Sequence, residues 1–302
     1  MAPRDQPPRF GSVVTAMVTP FDGEGALDLG AAATLARWLA DHGTDGLVVG
    51  GTTGEAPTLD DQEKLDLWRA VADAVTVPVI ANAGSNDTRH SVAMARSAAE
   101  TGADGVLVVT PYYNRPSQEG LLGHFTAVAG ATDLPVLIYD IPVRAGRKVG
   151  TATMLKLLDS AANVVGVKDS SGDPAGSARL LALAPSWFEV YCGEDALILP
   201  LLAVGASGVV SVASHWAGRE MAAMLAAFRK GDVEGARAIN ARLIESYDFE
   251  STEQFPNPLP AKAACRVQGL AVGQCRPPMG TAPPELDGEA RLILSRLGAP
   301  VA

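Results

Sequence analysis

Apolar residues fall along this chain in short unbroken runs, each followed by a longer stretch in which they recur every three or four positions. The runs lie at 13–18, 46–49, 77–81, 105–109, 134–139, 164–168, 188–192 and 208–212. They are continuous rather than alternating, which is the pattern of strands buried on both faces of a parallel sheet. Helical periodicity follows at 28–41, 59–74, 88–100, 119–130, 151–158, 175–184, 195–204 and 217–228. In the first helix Leu35, Trp38 and Leu39 share a face and Gly43 marks the stop, while Pro20 closes the strand before it. Eight strand–helix units in succession predict an α/β fold, a closed (β/α)8 barrel of the TIM type, with an open doubly wound sheet as the alternative. Three more helical stretches, at 233–247, 260–268 and 284–297, predict a C-terminal helical appendage. The expected organisation is a flexible tail over residues 1–10, a barrel over 11–230 and a helical extension over 231–302.

Composition narrows the function classes. A chain of 302 residues with 47% hydrophobic content buries a large core, and no linker divides it. The net charge of -10 argues against a nucleic-acid partner, which calls for a basic face, so small molecules are the expected ligands. Cys192, Cys265 and Cys275 are odd in number and lack CxxC spacing, which suggests neither a disulfide framework nor a zinc cluster and fits a reducing cytoplasm. The first nine residues carry no apolar core of signal-peptide length, and no run of about 18 apolar residues follows. His42, His90, His124 and His215 are not spaced as metal ligands. The first three fall on helices or their ends as packing or surface residues, whereas His215 follows the eighth strand and is placed to line the barrel mouth. Trp38, Trp68, Met221 and Met224 sit at helical core positions.

Polar groups cluster after the strands, where barrel active sites are built. The sixth strand ends in Lys168, followed by Asp169-Ser170-Ser171. Burying an ammonium is costly, so a buried lysine favours the neutral amine, which attacks a carbonyl to form a Schiff base. A charged strand-end cap turned to solvent is the competing reading. Gly51-Thr52-Thr53-Gly54-Glu55 after the second strand suits a carboxylate, through backbone N–H groups and two hydroxyls, or is an ordinary glycine-rich turn; it is not a Walker loop. Tyr112-Tyr113-Asn114-Arg115-Pro116 and Tyr139-Asp140-Ile141-Pro142-Val143-Arg144 put three of the five tyrosines at strand ends. A phenol relays a proton and an arginine fork holds a carboxylate, although aromatic residues also plug barrel mouths and Arg144 has the option of a structural acid.

Taken together with Gly166-Val167-Lys168-Asp169, Gly193-Glu194-Asp195 and Gly205-Ala206-Ser207-Gly208-Val209-Val210-Ser211, these motifs resemble the dihydrodipicolinate synthase and N-acetylneuraminate lyase family, in its order and at its spacing, from about Gly11 to Leu297. Tyr113, Arg144 and Phe255-Pro256-Asn257-Pro258-Leu259-Pro260-Ala261-Lys262 resemble the synthase branch of lysine and diaminopimelate biosynthesis. The resemblance implies that Lys168 forms a Schiff base with pyruvate, Thr53 and the loop amides hold the pyruvate carboxylate, and Arg144 holds the carboxylate of aspartate semialdehyde. Tyr139, Thr52 and Tyr113 form the proton relay, Tyr113 coming from a neighbouring subunit, so a dimer or a tetramer of paired dimers is expected. Gly193 and Val210 fall at substrate-binding positions, and no metal or organic cofactor is implied.

Some positions depart from the family. Val143 replaces a glycine or serine and tightens the expected pocket, and Glu194 replaces an aspartate. At the lysine feedback site the chain has Ala56, Asp61, Lys64 and His90 while keeping Asn86 and Tyr112, so weak or absent feedback is expected. Two other functions are open to the same residues: a pyruvate-dependent aldolase acting on a 2-keto-3-deoxy sugar acid or a sialic acid, and a non-catalytic ligand-binding barrel.

Overall fold

The computed structural model describes residues 7–302, and in it each apolar run forms a strand. These are β1 (Val13–Ala16), β2 (Gly46–Val49), β3 (Val79–Asn82), β4 (Gly105–Val109), β5 (Val136–Asp140), β6 (Val164–Asp169), β7 (Glu189–Cys192) and β8 (Gly208–Ser211). Neighbours in sequence are neighbours in space, every pairing is parallel, and β8 pairs with β1, with Val14 opposite Val210. The sheet is therefore a closed barrel, and the open-sheet alternative is excluded. Closure leaves no sheet edge to protect.

Side chains alternate between two cores. Val14, Val48, Ile80, Leu107, Leu137 and Tyr191 fill the barrel interior. Val13, Leu47, Val49, Ala81 and Val108 point outward onto the helices. Burial on both faces is why the strands read as unbroken apolar runs.

The outer ring comprises α1 (Leu29–Asp41), α2 (Asp61–Ala72), α3 (Thr88–Ala98), α4 (Gln118–Ala129), α5 (Pro142–Ala145), α6 (Thr151–Ser160), α7 (Pro174–Leu183), α8 (Ile198–Ala203) and α9 (Ser214–Arg229). Asp28, Asp60, Asp87, Ser117 and Asp173 cap α1, α2, α3, α4 and α7 by accepting first-turn N–H groups, and Asp60 with Glu63 completes a capping box. Three helices follow the barrel: α10 (Val233–Phe249), α11 (Leu259–Val267) and α12 (Pro284–Leu297). Among the described residues no helix is long and apolar enough to cross a membrane.

Three expectations change. Residues 1–6 of the expected tail lie outside the described residues, but Phe10 is buried and belongs to the barrel. Its ring approaches Gly105 so closely that a Cβ there would lie 2.7 Å from it, and its N–H donates to Tyr191 Oη at 3.1 Å. Tyr191 Oη in turn donates to Glu189, which also accepts the Arg9 N–H at 2.9 Å, so this segment plugs the N-terminal end of the barrel. The third strand begins at Val79 rather than 77, because Pro78 has no N–H to give a ladder. Between β5 and α6 the chain adds the single turn α5, opened by Pro142, whose four residues are too few to show a period.

Candidate active site

Lys168 owes its position to a shift in strand register. Val136 pairs with Val164, but Leu137 pairs with Gly166, so β6 carries one extra residue. Continued without the shift, the pairing would put Lys168 opposite Asp140, which faces outward. With it, Lys168 lies opposite Tyr139 on one side and Tyr191 on the other, both inside the barrel. Strand side chains alternate with period two, so one inserted residue turns the lysine inward. The side chain is 5% exposed, and its Nζ lies 4.2 Å from the centre of the Tyr139 ring. The reading of Lys168 as a solvent-facing cap is thereby excluded.

Gly193, just past β7, makes room for that lysine. A Cβ there would lie 3.0 Å from Lys168 Cγ and Cε and 2.1 Å from Ser170 Oγ. Val210 is buried inside the barrel on β8.

The loop after β2 is gripped from several directions. Gly50 takes a left-handed backbone at φ 68°, and Glu55 does the same at φ 57°. Asn82 Nδ2 donates to Gly50 O at 2.9 Å, and Thr19 Oγ1 donates to Gly54 O at 2.6 Å. Thr53 is buried, and its Oγ1 accepts from Asn257 Nδ2 at 3.0 Å. The Glu55 carboxylate is ion-paired with Lys262 Nζ at 2.7 Å and accepts the Arg276 N–H at 2.8 Å. Burial pushes the Lys262 amine down, while Glu55 pulls it back up.

Thr52, Tyr139 and Arg144 line one cavity of about 750 Å³ that opens at the C-terminal ends of the strands. Its far side is formed by Lys64, Asn86, His90 and Tyr112. Tyr113 is not among its walls; it is 91% exposed and held at φ 72°. The single chain thus gathers Thr52, Tyr139 and Arg144 on one cavity, with Lys168 reaching it through its contact with the Tyr139 ring; Lys168 and Thr53 are not themselves among the lining residues, and Tyr113 faces outward.

The surrounding charges follow from burial. Glu194 is raised by burial and by Asp195, against the opposing pull of nearby Lys168 and Arg144. Asp140, behind the strand, is pushed up to about 7 by burial even though it accepts the Val149 N–H at 3.1 Å. Burial also raises all three free cysteines, with Cys265 and Cys275 reaching about 12. Among the described residues no group of three or more His, Cys, Asp or Glu is placed to hold a metal ion.

His215 does not line the mouth as expected. It is fully buried, its Nδ1 donates to Val212 O at 2.7 Å, and its Nε2 accepts the Val18 N–H at 3.1 Å. Burial pushes the imidazole down to about 4 and keeps it neutral, a staple between β8 and the chain after β1. Sequence reasoning did not single out Asn257, Lys262 and Arg276 as supports of the threonine loop. They meet it from more than 200 residues away, and the one available signal was their place in the Phe255-to-Lys262 motif and its continuation.

A family model described as the dihydrodipicolinate synthetase family matches residues 9–296. A 4-hydroxy-tetrahydrodipicolinate synthase of Acidothermus cellulolyticus is 49% identical over 296 residues, covering 97% of this chain and 94% of its own. Its counterpart in Moorella thermoacetica is 48% identical over 273 residues, covering 90% of this chain and 92% of its own. The crystal structure of a dihydrodipicolinate synthase from Cyanidioschyzon merolae with lysine bound is similar at a TM-score of 0.92 and 41% identity, covering 96% of this chain and 98% of that one.

Proposed function

The chain belongs to the dihydrodipicolinate synthetase family, and from that premise we infer that it condenses pyruvate with L-aspartate 4-semialdehyde to 4-hydroxy-tetrahydrodipicolinate, as a lyase of lysine and diaminopimelate biosynthesis. The relatives' names support neither the sugar-acid aldolase nor the ligand-binding barrel. The observation that carries the chemistry is Lys168, buried at the barrel mouth with its amine against Tyr139.

Lys168 Nζ attacks the pyruvate ketone, and loss of water leaves a protonated imine. The imine draws electrons from the neighbouring methyl, which gives up a proton to form an enamine. Thr53 and the loop N–H groups hold the pyruvate carboxylate, which aligns the ketone with the amine. The enamine carbon then bonds to the aldehyde carbon of the semialdehyde, whose carboxylate rests on the Arg144 fork. The amine of the bound semialdehyde attacks the imine carbon, closes the ring and releases Lys168. Tyr139, Thr52 and Tyr113 carry the protons these steps require. Gly193 serves the site by leaving the lysine stem its path, and Val210 forms part of the interior beneath it.

Tyr113 bears on the assembly. Its exposure and left-handed backbone suit a side chain delivered to the cavity of a second copy, which makes the functional unit a dimer, and a tetramer if dimers pair. Three buried free thiols fit a cytoplasmic location. Lys64 places an ammonium on the wall of the cavity, and His90 is engaged with Asp61 at 2.9 Å, so a second ammonium is poorly received there. Weak or absent lysine feedback follows, and half-inhibition by submillimolar lysine would contradict it.

The direct test is mass spectrometry of the intact protein after pyruvate and borohydride. A pyruvyl adduct on Lys168, discharged by prior addition of the semialdehyde and absent in Lys168→Ala, is expected. An adduct on another residue, or one that the semialdehyde leaves in place, would overturn the assignment.

A further inference from the structure

The C-terminal segment reaches the threonine loop at two points two residues apart. Asn257 and Thr53, 204 residues apart in sequence, are 8% and 3% exposed and are joined by the 3.0 Å hydrogen bond from Asn257 Nδ2 to Thr53 Oγ1. Two residues on, Glu55 is clamped between Lys262 and Arg276. Lys262 itself is fixed by donating to Gln274 O at 2.8 Å and by lying 4.3 Å from the centre of the Phe21 ring. The clamp grips the loop through the Glu55 carboxylate, and the contact at Asn257 is the one that meets the Thr53 hydroxyl.

A hydroxyl has one proton to donate and two positions at which to accept. An amide N–H pointing at Thr53 Oγ1 fills one acceptor position and takes no proton from it. The Thr53 proton is then free to point elsewhere, which is what a bound carboxylate, an acceptor only, requires. With the amide reversed, Asn257 Oδ1 would take that proton and Thr53 would turn a lone pair toward the carboxylate. We propose that Asn257 is a positioning residue for the first substrate: through its Nδ2 it holds Thr53 as a donor to the carboxylate of the 2-oxo acid. This rests on the reading that Thr53 binds that carboxylate. It makes the α10–α11 connection part of the pyruvate site through Thr53.

The experiment uses the full-length enzyme in four forms besides wild type: Asn257→Ala, Asn257→Asp, Thr53→Val and the Thr53→Val/Asn257→Ala double variant. For each, the pyruvate concentration giving half-maximal borohydride-trapped adduct is measured, together with the KM for the semialdehyde. A hydrogen bond to a charged group predicts a rise of about tenfold to a hundredfold in the pyruvate value for Thr53→Val. Asn257→Ala raises it about tenfold, with the semialdehyde KM unmoved, and adds nothing further in the Thr53→Val background. Asn257→Asp, of the same shape but able only to accept, raises it at least as much and serves as the test if the alanine variant does not fold. An unchanged pyruvate value in Asn257→Asp, or an Asn257→Ala effect that persists in full without the Thr53 hydroxyl, overturns the proposal. A Thr53→Val enzyme with unaltered pyruvate binding instead overturns the underlying reading of Thr53.

Discussion

At Gly193 the missing side chain is itself a functional feature, because the space a methyl group would fill is occupied by the stem of Lys168. Gly193→Ala must push Lys168 off its rotamer or displace Ser170, whose hydroxyl donates to Gly193 O at 2.9 Å. Either movement displaces the reacting nitrogen, and a misplacement of about 1 Å costs on the order of a hundredfold in rate. The expected variant keeps its circular dichroism spectrum and loses about tenfold to a hundredfold in kcat. Lys262 gives a stability counterpart. Removing one partner of a buried ion pair leaves the other charge uncompensated, so Lys262→Met should lower the free energy of unfolding by about 3–5 kcal/mol. Adding Glu55→Gln should return much of that loss in urea unfolding, since the stranded charge is then gone.

Among the elements, the junction of β8 and α9 is held from outside itself. Its N-cap position is Ala213, which has no capping side chain, and Asp195 Oδ2 instead accepts the N–H groups of Val212 and Ala213 and the Ser211 hydroxyl. The helix consequently begins at Ser214 and bends at Ala217, where periodicity places its start. His215 lies in this first turn and makes the junction sensitive to acid. Its ordinary value is 6.5 and its folded value about 4, so as pH falls the unfolded chain takes the proton first. Its contribution is present above about 6.5 and lost as pH falls toward about 4, a swing on the order of 3 kcal/mol. Asp140 works in the opposite sense: raised from 3.8 to about 7, it stabilises in acid and loses that contribution as pH climbs through the same range. The two groups are separated by comparing urea midpoints of wild type and His215→Gln. The wild-type advantage should shrink steadily from pH 6.5 to 4, and a constant gap would contradict the buried neutral imidazole.

For the whole molecule, the exposed Tyr113 is the feature that one chain does not explain. If it serves a second copy, a site needs Lys168 from one protomer and Tyr113 from the other. Tyr113→Phe and Lys168→Ala should each be nearly inactive alone, and mixing them after dissociation should restore activity. Random pairing makes half of the dimers mixed, with one of two sites intact, so about a quarter of wild-type activity is expected. No recovery on mixing would return Tyr113 to its own chain.

The strands and helices, the closed-barrel expectation and the identities of the residues grouped at the strand ends are all legible in the order of residues alone. These rest on local signals: unbroken apolar runs, helical spacing, and caps such as Asp60 with Glu63. The face on which Lys168 lies was decided by the tertiary structure, through one residue of register between β5 and β6 that no feature of the run 164–168 announces. The same holds for Phe10 as a barrel plug, for His215 as a staple rather than a mouth residue, and for Asn257 at the Thr53 hydroxyl. Each depends on contacts between segments far apart in the chain. A strand's period of two lets a single inserted residue reverse every side chain after it, so the chemistry of this site is settled by pairing between strands rather than by the composition of any one of them.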